Sequence, residues 1–161
     1  MFDSGCNTSG VVRVKVECGS FEYFKHQYKA TIGRIHLGFN NINSEGDLFF
    51  GYGCSLEANK KTYTLDVKDD PTVKVVVWAK ETLVNAVQFH LASGNVSILY
   101  GIPSHNATTH TFQAAPGSQL VGMYGRFGGV IDSLGFRFGK YSSSCSLTSD
   151  TDNDSVTVMS N

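Results

Sequence analysis

One spacing recurs three times in this chain and narrows its choice of folds more than any other feature. The stretch "IGRIHLGF" places Ile32, Ile35, Leu37 and Phe39 at relative positions 0, 3, 5 and 7. "VNAVQFHL" sets Val84, Val87, Phe89 and Leu91 at the same offsets, and "IDSLGFRF" does so with Ile131, Leu134, Phe136 and Phe138. Each copy follows another alternating segment: Val12/Val14/Val16, then Val73/Val75/Val77, then Val121/Met123. Alternation with period 2 is the strand signature, and helical periodicity is nearly absent. Self-similarity at about fifty residues marks a repeat architecture. The first two copies are followed by a second strand-like pair, "DLFFGYG" with "KKTYTLDV" and "NVSILYG" with "HTFQAA". The units read as four-stranded antiparallel modules with one apolar face each. Three such sheets bury those faces against one another around an approximate three-fold axis. The third unit lacks its second pair downstream, so the residues before 11 or the "SVTVMS" segment are expected to complete it.

Composition agrees with an all-β chain. In 161 residues there are 17 Gly, 11 Phe and 7 Tyr against only 3 Pro, and 17% of residues are charged, below the usual quarter. A formal net charge of −1 provides no long-range field for nucleic acid or an acidic membrane. No apolar run is long enough for membrane insertion, and "MFDSGCNTSG" has no signal-peptide pattern. Residues 1–140 read as the domain, and the Ser/Thr/Asp-rich stretch 141–161 as a tail or linker.

Cys6, Cys18, Cys54 and Cys145 form no CxxC pair, which removes the common zinc and redox motifs. Two disulfides would suit a secreted protein, for instance Cys6–Cys145 and Cys18–Cys54. Three connectivities are open, as are four reduced buried thiols. Asn-X-Ser/Thr triplets at Asn7, Asn95, Asn106 and Asn153 exceed the roughly two expected by chance, which favours an extracellular glycoprotein.

The sharpest local signal is "YGRFGGVIDSLGFRFG", residues 124–139. Asp is depleted in strands, yet Asp132 opens one. Gly128 and Gly129 allow a tight turn with accessible backbone N–H groups. A carboxylate beside such groups suits vicinal sugar hydroxyls, because it accepts O–H bonds while the amides donate. The plainer alternative is that Asp132 caps its own turn. A second feature is the aromatic insertion "GSFEYFKHQYKAT" (19–31), in which Phe21, Tyr23, Phe24 and Tyr28 alternate with Lys25, His26 and Lys29. It could stack on sugars, dock a protein or pack on its own sheet. Arg13, Lys15 and Arg34 nearby suggest a sulfated glycan as a further ligand. "SDTDNDS" imitates a calcium loop through Asp150, Asp152 and Asp154 but lacks its glycine and closing Glu. His105 and His110 read as surface residues. No nucleophile–base set or carboxylate pair can be assembled, so no catalysis and no cofactor are expected.

The 124–139 stretch resembles the closing hairpin of jacalin-related lectins, whose pattern is close to G-R-x-G-x-x-(hydrophobic)-D-x-(hydrophobic)-G. "VKVVVWAKETLVNAVQFHLASGNVSILYG" and "THTFQAAPGSQLVGMYGR" look like the middle and last thirds of that domain; the likeness is good over 73–139 and looser over 11–67. The resemblance implies a β-prism of three four-stranded Greek-key sheets and non-catalytic, calcium-independent sugar binding. It assigns the ligand to a G-x-x-x-D loop, here Gly128, Gly129, Val130, Ile131 and Asp132. Asp132 would take sugar hydroxyls, with the Gly129 and Val130 amides donating. Phe127, Ser4, Gly5, Tyr23 and Phe24 are accessory candidates, although the family's glycine-rich N-terminal loop has no counterpart beyond "DSGCNTSG". Following the leading aliphatic, the three repeats carry Gly33, Asn85 and Asp132; four residues earlier stand Lys29, Glu81 and Gly128. Only the third combines glycine and carboxylate, so one site per chain is expected. The implied ligands are mannose- or glucose-type glycans, in a secreted lectin that could form homo-oligomers.

Overall fold

An odd step of three inside an otherwise period-2 pattern needs a physical cause, and strand pairing supplies it. The computed structural model describes residues 2–3, 10–23, 26–39, 48–53, 58–80, 83–127, 130–140 and 158–159. The strands are β1 (Phe2–Asp3), β2 (Val11–Tyr23), β3 (His26–Phe39), β4 (Leu48–Gly53), β5 (Ala58–Asp66) and β6 (Thr72–Lys80). They continue as β7 (Leu83–Leu91), β8 (Tyr100–Gly101), β9 (Thr108–Gln113), β10 (Ser118–Phe127), β11 (Ile131–Lys140) and β12 (Val158–Met159).

The central hairpins β2–β3, β6–β7 and β10–β11 share a register slip near the tip, and β2–β3 has a further irregularity between Gly19 and Phe21. Glu17 faces Arg34 and Cys18 faces Ile32, which leaves Gly33 unpaired. Trp78 faces Ala86 and Ala79 faces Val84, leaving Asn85. Arg126 faces Ser133 and Phe127 faces Ile131, leaving Asp132. Each is a β-bulge, in which one extra residue stands against the partner strand. The extra residue turns positions 0 and 3 onto the same face, so the sequence spacing records the bulge.

A second bulge sits in each leading strand, at Val12, Val73 and Val121. The three valines stand in the alternating segments read from the sequence, and the bulge shifts that alternation. Val11, Thr72 and Leu120, each on the near side of its bulge, are buried; Val12 and Val73 are half-buried, whereas Val121 is buried as well. Two bulge carbonyls accept equivalent bonds, from Val67 N to Val12 O at 2.9 Å and from Ala114 N to Val73 O at 2.8 Å. Val67 and Ala114 each follow the outer strand of their module, so the repeat extends to hydrogen bonding.

The sheets run β4-β3-β2-β5, β8-β7-β6-β9 and β1-β10-β11-β12. In each of the first two, four consecutive strands make a Greek key. The third follows the same order only if β1 serves as its last strand. Both expected segments close it: Phe2 pairs with Gly125, and Val158 pairs with Leu134. The "NVSILYG" strand is shorter than expected, reduced to Tyr100–Gly101 and a single bridge from Val96 to His90. The Ser97 hydroxyl intervenes, accepting from Phe89 N at 3.0 Å and donating to Ile98 O at 2.8 Å.

All twelve residues of the recurring pattern are buried in one core. Phe89 and Phe136 occupy the same place in their repeats, and their rings meet edge to face at 6.4 Å. Phe112 meets Phe136 in the same manner at 5.5 Å. Equivalent residues therefore sit at one level, and the hairpin tips share one end of the molecule. Thr31 Oγ1 donates to Val84 O at 2.9 Å between two of those tips. The architecture is an all-β prism of three antiparallel sheets.

Candidate functional site

Three bulge residues surround that end, and their fates differ. Gly33 offers no side chain. Asn85 is fully buried, and among the described residues its Oδ1 and Nδ2 have no hydrogen-bond partner. Gly101 of β8 lies across it: with φ of +86°, a Cβ at this position would stand 2.1 Å from the Asn85 carbonyl oxygen. Asp132 alone keeps a partly exposed polar side chain. Bulges commonly re-aim a side chain out of the sheet pattern, which answers why an aspartate is tolerated at the mouth of β11.

Asp132 is held firmly. Ile131 on one side is fully buried, as are Ser133 and Leu134 on the other. Burial pushes the Asp132 carboxyl above the usual aspartate range. Among the described residues no cation and no donor offsets that shift. The turn that Asp132 would cap lies outside the described residues.

The other expected residues divide as follows. Val130 is buried. Phe127 is exposed beside the bulge. Gly128, Gly129, Ser4, Gly5 and Phe24 lie outside the described residues, as do Cys6, Cys54, Cys145, Asn7 and Asn153. Tyr23 pairs with His26 at the end of a β2–β3 hairpin that runs longer than the other two. Asn95 and Asn106 are both exposed. Cys18 is a free buried thiol pushed up to about 11, chiefly by burial, so the structure shows no Cys18–Cys54 bridge. Among the described residues no cluster of His, Cys, Asp or Glu could hold a metal ion.

Sequence reasoning missed a stacked pair on the same hairpin. The Arg137 guanidinium lies 4.8 Å from the centroid of the Tyr124 ring. That ring crosses Gly135, where a Cβ would come within 2.5 Å of Tyr124 Cζ. The signal was present as Tyr124, Gly135 and Arg137, but only the register brings them together.

Three bulged Greek-key sheets around a shared core, with an accessible acid at one hairpin tip, define the β-prism class of carbohydrate-binding domain. The chain belongs to the jacalin-like lectin family, whose Jacalin-like lectin domain matches residues 2–137. Membership makes it a carbohydrate-binding, non-catalytic domain. No curated protein matches the chain at the sequence level. Solved structures do. A prostate-specific glycoprotein lectin superposes with a TM-score of 0.66 at 18% identity, covering 86% of this chain and 89% of the other. Artocarpin in complex with mannotriose gives 0.65 at 17% identity, with 86% and 88% covered. A galactose-specific lectin from Artocarpus hirsuta, bound to methyl-α-D-galactose, gives 0.63 at 13% identity, with 86% and 97% covered. At these identities the likeness carries the fold.

Proposed function

We propose that this chain is a secreted lectin that holds mannose- or glucose-type glycans at the 128–132 loop, with Asp132 accepting bonds from two sugar hydroxyls. The observation that carries the reading is the Asp132 carboxylate, partly exposed at a bulge whose two counterparts are a glycine and a sealed asparagine. The Gly129 and Val130 amides complete the proposed contacts. The sugar preference rests on the resemblance, in which galactose binding goes with a cleaved chain; similar structures include lectins of both preferences. A glycan array, followed by titration calorimetry on the best ligand, tests the reading. An array dominated by galactosides would reject the preference and keep the site.

Acidification should separate binding from folding. The ionised carboxylate accepts O–H bonds through both oxygens, whereas protonation turns one of them into a donor. Because the folded-state carboxyl is raised, affinity should fade on acidification at a pH above that of an ordinary aspartate. Stability carries the opposite sign: the charge is disfavoured in the folded state, and this cost disappears as the group protonates. Affinity measured against pH beside a melting curve at each pH checks both. A midpoint at or below that of a free aspartate would contradict the assignment.

The longer β2–β3 hairpin favours a second reading, an adhesive module that uses the aromatic 19–31 segment. Deleting residues 20–30 would then abolish partner binding in a protein that binds no sugar. The sulfated-glycan reading meets a mixed surface: alternation puts Arg13, Lys15 and Arg34 on the same face as Glu17 and Asp66, and Arg13 Nη2 lies 3.8 Å from Asp66 Oδ2.

A further inference from the structure

The bulge has two sides, and the residue facing it also differs among the modules. Cys18, Ala79 and Phe127 are the equivalent positions, each paired with the leading aliphatic of its repeat. Cys18 is 6% exposed and Ala79 is 1% exposed, whereas Phe127 is 38% exposed. The one module that presents a carboxylate at its bulge also presents an aromatic ring on the facing strand, opposite Ile131, the residue before that carboxylate. Exposing a large apolar side chain forfeits its burial energy, and the other two modules avoid that loss.

A pyranose has two kinds of surface, a rim of hydroxyls and faces lined by C–H bonds. A carboxylate serves the rim. An aromatic ring, with electron density concentrated on its face, serves the C–H bonds and buries apolar area with them. We propose that Phe127 is a specificity-determining residue of the sugar site, its ring covering the C–H face of the pyranose whose hydroxyls Asp132 binds. The inference rests on the Asp132 reading above. It adds that the ligand is chosen by the shape of its apolar face as well as by its hydroxyl pattern.

The test uses the whole chain and four variants, Phe127→Ala, Phe127→Leu, Phe127→Trp and Phe127→Tyr. Each is titrated with methyl α-D-mannoside, methyl α-D-glucoside and methyl α-D-galactoside, and its melting temperature is measured. Aromatic contacts of this kind predict a loss of roughly 5- to 10-fold in affinity for Ala. Leu, which keeps apolar bulk without a ring, should lose a similar factor, while Trp and Tyr should stay within about twofold of wild type. Saturation-transfer NMR should show the strongest transfer to ring C–H protons of the bound sugar, and weaker transfer in the Leu variant. Binding by the Leu variant within twofold of wild type, at an unchanged melting temperature, would overturn the proposal. An Asp132→Ala control distinguishes the two claims: if that variant binds as wild type does, the site itself is misplaced. If it loses binding while Phe127→Leu does not, only the role of Phe127 falls.

Discussion

Asp132→Ala is expected to erase the glycan-array signal while leaving the fold intact. Hydrogen bonds to a charged group contribute about 1.5–3 kcal/mol each. Losing two should weaken binding by roughly two orders of magnitude or more, which takes an ordinary lectin–monosaccharide interaction below detection. Asp132→Asn is the stricter variant, since it keeps the shape and one acceptor oxygen. It too should lose most of the affinity, because its amide nitrogen donates where the sugar needs an acceptor. Neither substitution should lower the melting temperature. The carboxylate is disfavoured by its surroundings, so the neutral variant should melt at the same or a higher temperature. Circular dichroism melts alongside the array provide the check. An unchanged array profile for both variants would remove Asp132 from the site.

Phe136→Ala should be the most damaging single change to stability. Phe136 is fully buried and touches Phe89 and Phe112 from the neighbouring sheet. Truncating a buried Phe typically costs about 3–5 kcal/mol, combining lost transfer energy with an unfilled cavity. For a chain of this size that corresponds to a melting temperature lower by about 10 °C. Phe136→Leu, which refills part of the space, should recover much of the loss. Urea unfolding should show a lower midpoint with little change in slope. A loss below about 1 kcal/mol would mean that the core relaxes around the hole and that the contact between the two sheets does not depend on these rings.

Much of the fold was legible because its core residues repeat. The offsets 0, 3, 5 and 7 identified three modules, and the resemblance named their arrangement. What escaped was the meaning of the step from 0 to 3. It was treated as part of a pattern, when it is the trace of a β-bulge. The same device interrupts the alternation at Val12, Val73 and Val121, since strict alternation cannot represent an extra residue. Both closing strands of the third sheet were anticipated, as alternatives, though each amounts to only two residues.

The candidate site was legible in part. Asp132 stood out chemically, yet the difference between it and Asn85 lies in burial. Asn85 is covered by Gly101, sixteen residues further along, with a positive φ that brings backbone against backbone. No pattern near Asn85 announces that cover. Phe127 was named only as an accessory. Its exposure becomes informative once the register shows Cys18 and Ala79 in the same position, both buried. Cys18 illustrates the converse: cysteine counting suggested a bridge, while a small buried thiol satisfies the packing at that position.

The sheet that carries Asp132 is bounded by β1 on one side and β12 on the other. The other two sheets are assembled from neighbours in sequence and can form while the chain is still emerging from the ribosome. This one cannot, because its first edge waits more than a hundred residues for Gly125 and its last edge is supplied by Val158. Such long-range closure is entropically slow. Synthesis thus delivers the sheet that carries Asp132 last, and the chain must be complete before both of its edges are closed.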